Sequence, residues 1–125
     1  MIKQIPSAEV KTHTKSKPKS VLLDVRTEEE WNVDGKPDGE KIFLKTYFLT
    51  IQLADGSFNE NFISDFKKLD IQKDQEILTM CMGGVRSQMA AELLIKEGYN
   101  CSNISDGFLG NPDGAGWKNS GLPLK

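Results

Sequence analysis

The run Val21-Leu22-Leu23-Asp24-Val25 is apolar except for one polar group near its end, the pattern of a strand buried on both faces of a parallel sheet. Glu76-Ile77-Leu78-Thr79-Met80-Cys81 predicts a second such strand, and Cys101 to Ser105 a third. Ile2 to Ile5 reads as a short edge strand stopped by Pro6, with Ser7 capping a short helix that carries Glu9 in its first turn and a loop from Lys15 to Ser20. Thr27 is placed to cap another helix, running through Trp31, with Glu30 at the capping-box position and Glu28 and Glu29 favourable at the positive helix end. Asp34 to Gly39 is dense in turn residues, and the apolar residues from Ile42 to Leu53 predict at least one further strand. Phe62, Ile63, Phe66 and Leu69 fall at helical spacing within Asn59 to Leu69. Met89, Ala90, Leu93 and Leu94 form a helix face between Arg86 and Glu97, which Gly98 ends. Trp117 with Leu122 is expected to anchor the C-terminal tail.

Strands separated by helices imply right-handed crossovers. The expected fold class is α/β: one domain over residues 1–125, a small open, mostly parallel sheet with helices on both faces. Ligand sites in such folds lie beyond the carboxyl ends of strands. Two features land there, Asp24-Val25-Arg26 and the loop that begins at Cys81.

Composition narrows the chemistry. With 16 Lys and Arg against 18 Asp and Glu, the chain lacks the basic surface that nucleic-acid binding requires. Its longest apolar stretches fall far short of the roughly 20 residues that cross a bilayer, so no membrane partner is expected. No apolar leader core follows Met1, so a cytoplasmic location is expected, or a periplasmic one if a leader has been removed. Two cysteines, Cys81 and Cys101, make no disulfide framework, and with the single His13 they are too few for a zinc site. No metal and no cofactor are expected.

The sharpest signal is a cysteine at the end of a buried strand, followed by two glycines and a helix. Gly83 and Gly84 permit positive φ and close backbone approach, so residues 82 to 87 can curl around Cys81 with several N–H groups pointing inward. The helix N-terminus adds positive potential, Arg86 adds a fixed charge and a fork of donors, and a thiolate is stabilised in such a setting. The candidate site is therefore Cys81 as nucleophile, with Met82, Gly83, Gly84, Val85, Arg86 and Ser87 binding substrate. Asp24 and Arg26 are supporting residues. Cys101 opens a core strand without a glycine-rich loop and is assigned to packing, its alternative role being to resolve a Cys81 intermediate as a disulfide. Trp31 and Trp117 are assigned to packing, and Lys15, Lys17 and Lys19 to a solvated loop.

Cys81-Met82-Gly83-Gly84-Val85-Arg86 reads Cys-x4-Arg, and here the sequence resembles the rhodanese family of sulfurtransferases. Val21 to Trp31 looks like the family's early "LLDVR…E(F/W)" segment. Ala90 to Tyr99 resembles its post-loop helix, and Gly107, Gly110, Trp117, Gly121, Leu122 and Pro123 its closing pattern. The resemblance implies a ping-pong reaction: the cysteine takes a sulfane sulfur from a donor, holds it as a persulfide and passes it to a thiophilic acceptor. It also implies that Asp24 and Arg26 brace the loop. Related phosphatases and arsenate reductases carry five residues between cysteine and arginine, whereas this chain carries four.

Two departures bear on substrate. Many relatives place Arg or Lys directly after the cysteine, where this chain has Met82, which weakens capture of a doubly charged donor such as thiosulfate. Asp34 to Glu40 stands where many relatives have "GHIPGA", and Asn111 to Gly116 lengthens the connection before Trp117. The expected partners are a small sulfur-containing anion such as thiosulfate or polysulfide, or a protein persulfide or thiol. The alternatives are a rhodanese-like binding or regulatory module without turnover and, less favoured by the loop length, an arsenate reductase or phosphatase on the same fold.

Overall fold

In the computed structural model, which describes residues 2–125, five parallel strands form one open sheet. The strands are β1 (Lys3–Ile5), β2 (Val21–Asp24), β3 (Lys45–Phe48), β4 (Glu76–Met80) and β5 (Asn100–Ile104), in the order β1-β5-β4-β2-β3. The helices are α1 (Val10–Ser16), α2 (Glu28–Asp34), α3 (Phe62–Lys67) and α4 (Val85–Lys96). Every residue of β2 and β4 is buried, as their apolar runs require.

Alternation along β2 divides the interior between the two faces of the sheet. Val21, Leu23 and Val25 join Phe62 and Phe66 of α3, Ala90, Ala91 and Leu94 of α4, and both cysteines. Leu22 joins Val10 of α1 and, from the far end of the chain, Phe108, Trp117 and Leu122. The expected anchoring of the tail is met: Trp117 is fully buried and its Nε1 donates to the Pro123 carbonyl at 2.8 Å.

From β2 the chain moves outward to β3, and from β4 it moves outward on the other side to β5. The reversal lies between β2 and β4, where Asp24 pairs in register with Met80, one residue before Cys81. That is the switch point at which open α/β sheets place ligands.

Local signals were followed where their partners are also local. Thr27 and Glu30 form the reciprocal capping box at the start of α2. Gly98, at φ 95°, turns the chain after α4. Two expectations changed. Ser7 does not cap a helix: it is buried, and its N–H and Oγ both donate to Asp106 Oδ1, at 2.9 and 2.8 Å. A carboxylate delivered from the end of β5 outcompetes the local amide. The helix expected over Asn59–Leu69 spans only Phe62–Lys67, because the Asn59 N–H donates to the Ile51 carbonyl and the Asn59 side chain accepts from the Asn61 N–H.

Candidate active site

Cys81 follows β4 directly, and its Sγ lies on the face covered by α3 and α4, with 1% of the residue exposed. Two groups from the start of α4 donate to it: the Gly84 N–H at 3.1 Å and the Ser87 hydroxyl at 3.3 Å. The first amides of α4 have no partner within the helix, and the 12-residue helix directs its positive end to the same place. Gly84 can be nothing else, since it has φ 105° and a side chain there would strike the Ser105 carbonyl.

What shapes the loop is the capture of its carbonyls from outside. The Cys81 carbonyl accepts from Phe108 N–H at 2.8 Å and the Met82 carbonyl from Leu109 N–H at 3.1 Å. Asn111 Nδ2 donates to the Gly83 carbonyl at 2.9 Å, and Asn103 Nδ2 to the Gly84 carbonyl at 3.0 Å. In a trans peptide the N–H points opposite the carbonyl, so tying four consecutive carbonyls to the β5 side turns the following amides away from it. One of them is the Gly84 N–H on the sulfur.

The sequence singled out neither asparagine. The available signals were an amide side chain within an otherwise buried strand, for Asn103, and the lengthened connection, for Asn111. Gly107 belongs to the same clamp: at φ 61° it lies so close to the Met82 carbonyl that a side chain would not fit.

The proposed substrate-binding residues divide by direction. Gly84 and Ser87 reach the sulfur. Met82 packs its side chain against the Phe108 and Trp117 core, on the sheet face opposite Cys81 Sγ, so its missing charge is not a gap beside the sulfur. Val85 is 80% exposed and offers the site only its main chain.

Arg86, expected to hold its guanidinium against the thiolate, instead forms a bidentate pair with Glu30 of α2, at 2.7 and 2.8 Å. The capping box fixes the Glu30 carboxylate there, with Oε1 also accepting the Thr27 N–H at 3.0 Å. The hydrogen bonds from Arg86, ahead of those from Thr27, hold the Glu30 carboxyl at about 2, far below its ordinary 4.5, against the opposing effect of burial. The same pair raises Arg86 above its usual value, and the charge of Cys81 contributes in the same direction.

Asp24 and Arg26 are both fully buried and joined through Arg26 Nε and Nη2, with Nη2 also donating to the Gly35 carbonyl at 2.9 Å. The guanidinium stacks on Phe108, 4.0 Å from the ring centre, and the Phe108 N–H is the group that holds the Cys81 carbonyl. Phe108 thus links the Asp24–Arg26 pair to the loop. Among the described residues, Arg26 Nη1 finds no acceptor.

Cys101 pairs in register with Ile77, four residues before Cys81 along β4, which separates the two cysteines by about 13 Å. A disulfide between them would need the sheet to come apart. Burial, with the charge of Glu76 adding to it, pushes the Cys101 thiol up to about 12. The resolving role is thereby set aside, and Cys101 is a core residue. His13 sits at the other end of the sheet, paired with Glu76 at the start of β4.

With fold and loop in view, the comparisons agree. The rhodanese-like domain model matches residues 7–110, and the chain belongs to that family. It is 43% identical over 106 residues to the uncharacterized protein RP600 of Rickettsia prowazekii, spanning 82% of this chain and 80% of that one. It is 34% identical over 105 residues to rhodanese-like domain-containing protein 17 of Arabidopsis thaliana, spanning 83% of this chain and 62% of that one. Among solved structures, Rv0390 from M. tuberculosis superposes with a TM-score of 0.83 at 29% identity, over 98% of this chain and 96% of that chain. RPA3614 from Rhodopseudomonas palustris, described as a possible tyrosine phosphatase, superposes at 0.66 with 21% identity, over 99% and 85%, and shares the fold.

Proposed function

We propose that the protein is a sulfurtransferase in which Cys81 carries a sulfane sulfur as a persulfide. The observation that carries this reading is the pair of donors on Sγ, the Gly84 N–H and the Ser87 hydroxyl, at the head of a helix and inside a loop whose carbonyls are held away. They favour negative charge on sulfur without a histidine base.

In the first half-reaction the thiolate attacks the sulfane sulfur of the donor. The new S–S bond forms as the old one breaks, and the donor's remainder leaves with the electron pair, as sulfite from thiosulfate or as a thiolate from an organic persulfide. In the second, cyanide or a thiolate attacks the outer sulfur, and the Cys81 thiolate departs in turn. No net redox change accumulates on the protein. The donor is thiosulfate, polysulfide or a protein persulfide, and the acceptor a thiophile such as a protein thiol.

Incubation with such donors should add about 32 Da per sulfur to the intact protein, and Cys81→Ser should abolish the adduct. An adduct that persists in Cys81→Ser overturns the assignment. A binding module without turnover is the second reading, favoured by the near-complete burial of Cys81. It requires that no donor load Cys81 under any condition. Phosphatase or arsenate reductase chemistry has less in its favour, because Arg86 is already occupied by Glu30 and only four residues form the cradle.

A further inference from the structure

Beside the Cys81 loop a cleft of about 350 Å³ opens between α2 and residues 53–54, with Thr27, Glu30 and Arg86 along its inner wall. Its outer lining is Glu29, Val33, Asp34 and Leu53, so three carboxylates face one guanidinium, which Glu30 already neutralises. Outside the lining, Lys118 donates its ammonium to the Asp34 main-chain carbonyl at 2.9 Å. Two apolar side chains of the lining stand free: Val33 is 76% exposed and Leu53 45%.

A cleft with net negative charge beside the loop repels a small dianion and attracts a cation, and exposed apolar side chains beside a cleft are what a macromolecular surface covers. At the sulfur the Gly84 N–H and the helix end favour an anion, but the loop adds no free side-chain cation to them. Met82 faces the other core, and the one guanidinium of the loop is committed.

We infer that the sulfur donor served by this site is a protein persulfide whose cysteine is flanked by basic and apolar residues, rather than thiosulfate or another free anion. Glu29 and Asp34 set the preference by charge, while Val33 and Leu53 provide the apolar contact. The inference rests on the sulfurtransferase reading and adds the chemistry of the donor. In the transfer, the Cys81 thiolate attacks the outer sulfur of the donor's R–S–SH. The donor's inner S–S bond breaks, R–S⁻ leaves with the electron pair, and Cys81–S–SH remains.

The test uses short synthetic peptides with a central persulfidated cysteine, flanked by Lys and Leu, by Glu and Leu, or by Ser, together with thiosulfate. Loading of Cys81 in the full chain is followed by intact mass. The Lys-flanked peptide should load Cys81 with kcat/KM about tenfold above the Glu-flanked one, and thiosulfate should be slowest. The difference should collapse at about 1 M salt, where the screening length is about 3 Å. Glu29→Gln with Asp34→Asn should erase the preference, and Glu29→Lys with Asp34→Lys should reverse it. Equal loading by all peptides, or a preference unmoved by salt and by both double variants, overturns the donor assignment while leaving a persulfide enzyme. Failure of every donor to load Cys81 removes the sulfurtransferase reading and this inference with it.

Discussion

Glu30 serves two elements with one carboxylate: Oε1 closes the capping box of α2, and both oxygens hold Arg86 at the head of α4. In the unfolded chain this group takes up its proton near 4.5, but in the fold only near 2. Its folded value is depressed, so its contribution to stability is complete above the unfolded value and is lost as pH falls toward the folded one. Glutamine keeps the capping geometry but loses the charge. Glu30→Gln should therefore destabilise the protein at pH 7 by about 1 kcal/mol, the scale of a partly exposed ion pair. The difference from wild type should shrink as pH is lowered from about 5 to 2, as measured by urea denaturation across that range. A penalty that stays constant down to pH 2 would mean that Glu30 acts by shape alone.

The turn from β4 into α4 depends on backbone that only glycine can supply. At Gly84 two costs coincide, a left-handed φ of 105° and a carbonyl where a side chain would go. At Gly56, φ is also positive, at 88°, but the space around it is open. Gly56→Ala should thus cost about 1 kcal/mol, from conformation alone, and Gly84→Ala about 2 kcal/mol or more, read from denaturation midpoints. Gly84→Ala should also change the rate of Cys81 alkylation, because it moves the N–H that donates to Sγ; Gly56→Ala should not. The pattern of Gly83-Gly84 before a helix was readable from the chain, since turn chemistry is local. The shortness of α3 was not, because it depends on a hydrogen bond from Asn59 to Ile51 on a neighbouring segment.

Over the whole molecule, the sheet face opposite Cys81 is closed by pieces from both ends of the chain, Val10 of α1 and the segment carrying Phe108, Trp117 and Leu122. This closure extends past residue 110, where the family match stops. It also braces the site, because Phe108 stacks on Arg26 and holds the Cys81 carbonyl. Trp117 is fully buried, so Trp117→Ala should leave a cavity costing about 3–5 kcal/mol, with a matching fall in the thermal midpoint. A loss within about 0.5 kcal/mol, the range of surface substitutions, would show that the C-terminal segment is not part of the cooperative core.

The amino-acid order by itself determined the buried parallel strands, the capped start of α2, the glycine turn after Cys81 and the family to which the chain belongs. Each of these is written in apolar period, capping chemistry or turn residues within a few positions of one another. Tertiary structure alone decided which charge meets which. Arg86 turns to Glu30, 56 residues away, Asn103 and Asn111 take the loop's carbonyls, and Cys101 lies too far along the sheet to meet Cys81. Those partners are fixed by strand order and register, and the direction of a side chain's hydrogen bond follows from what the fold brings within about 3 Å of it.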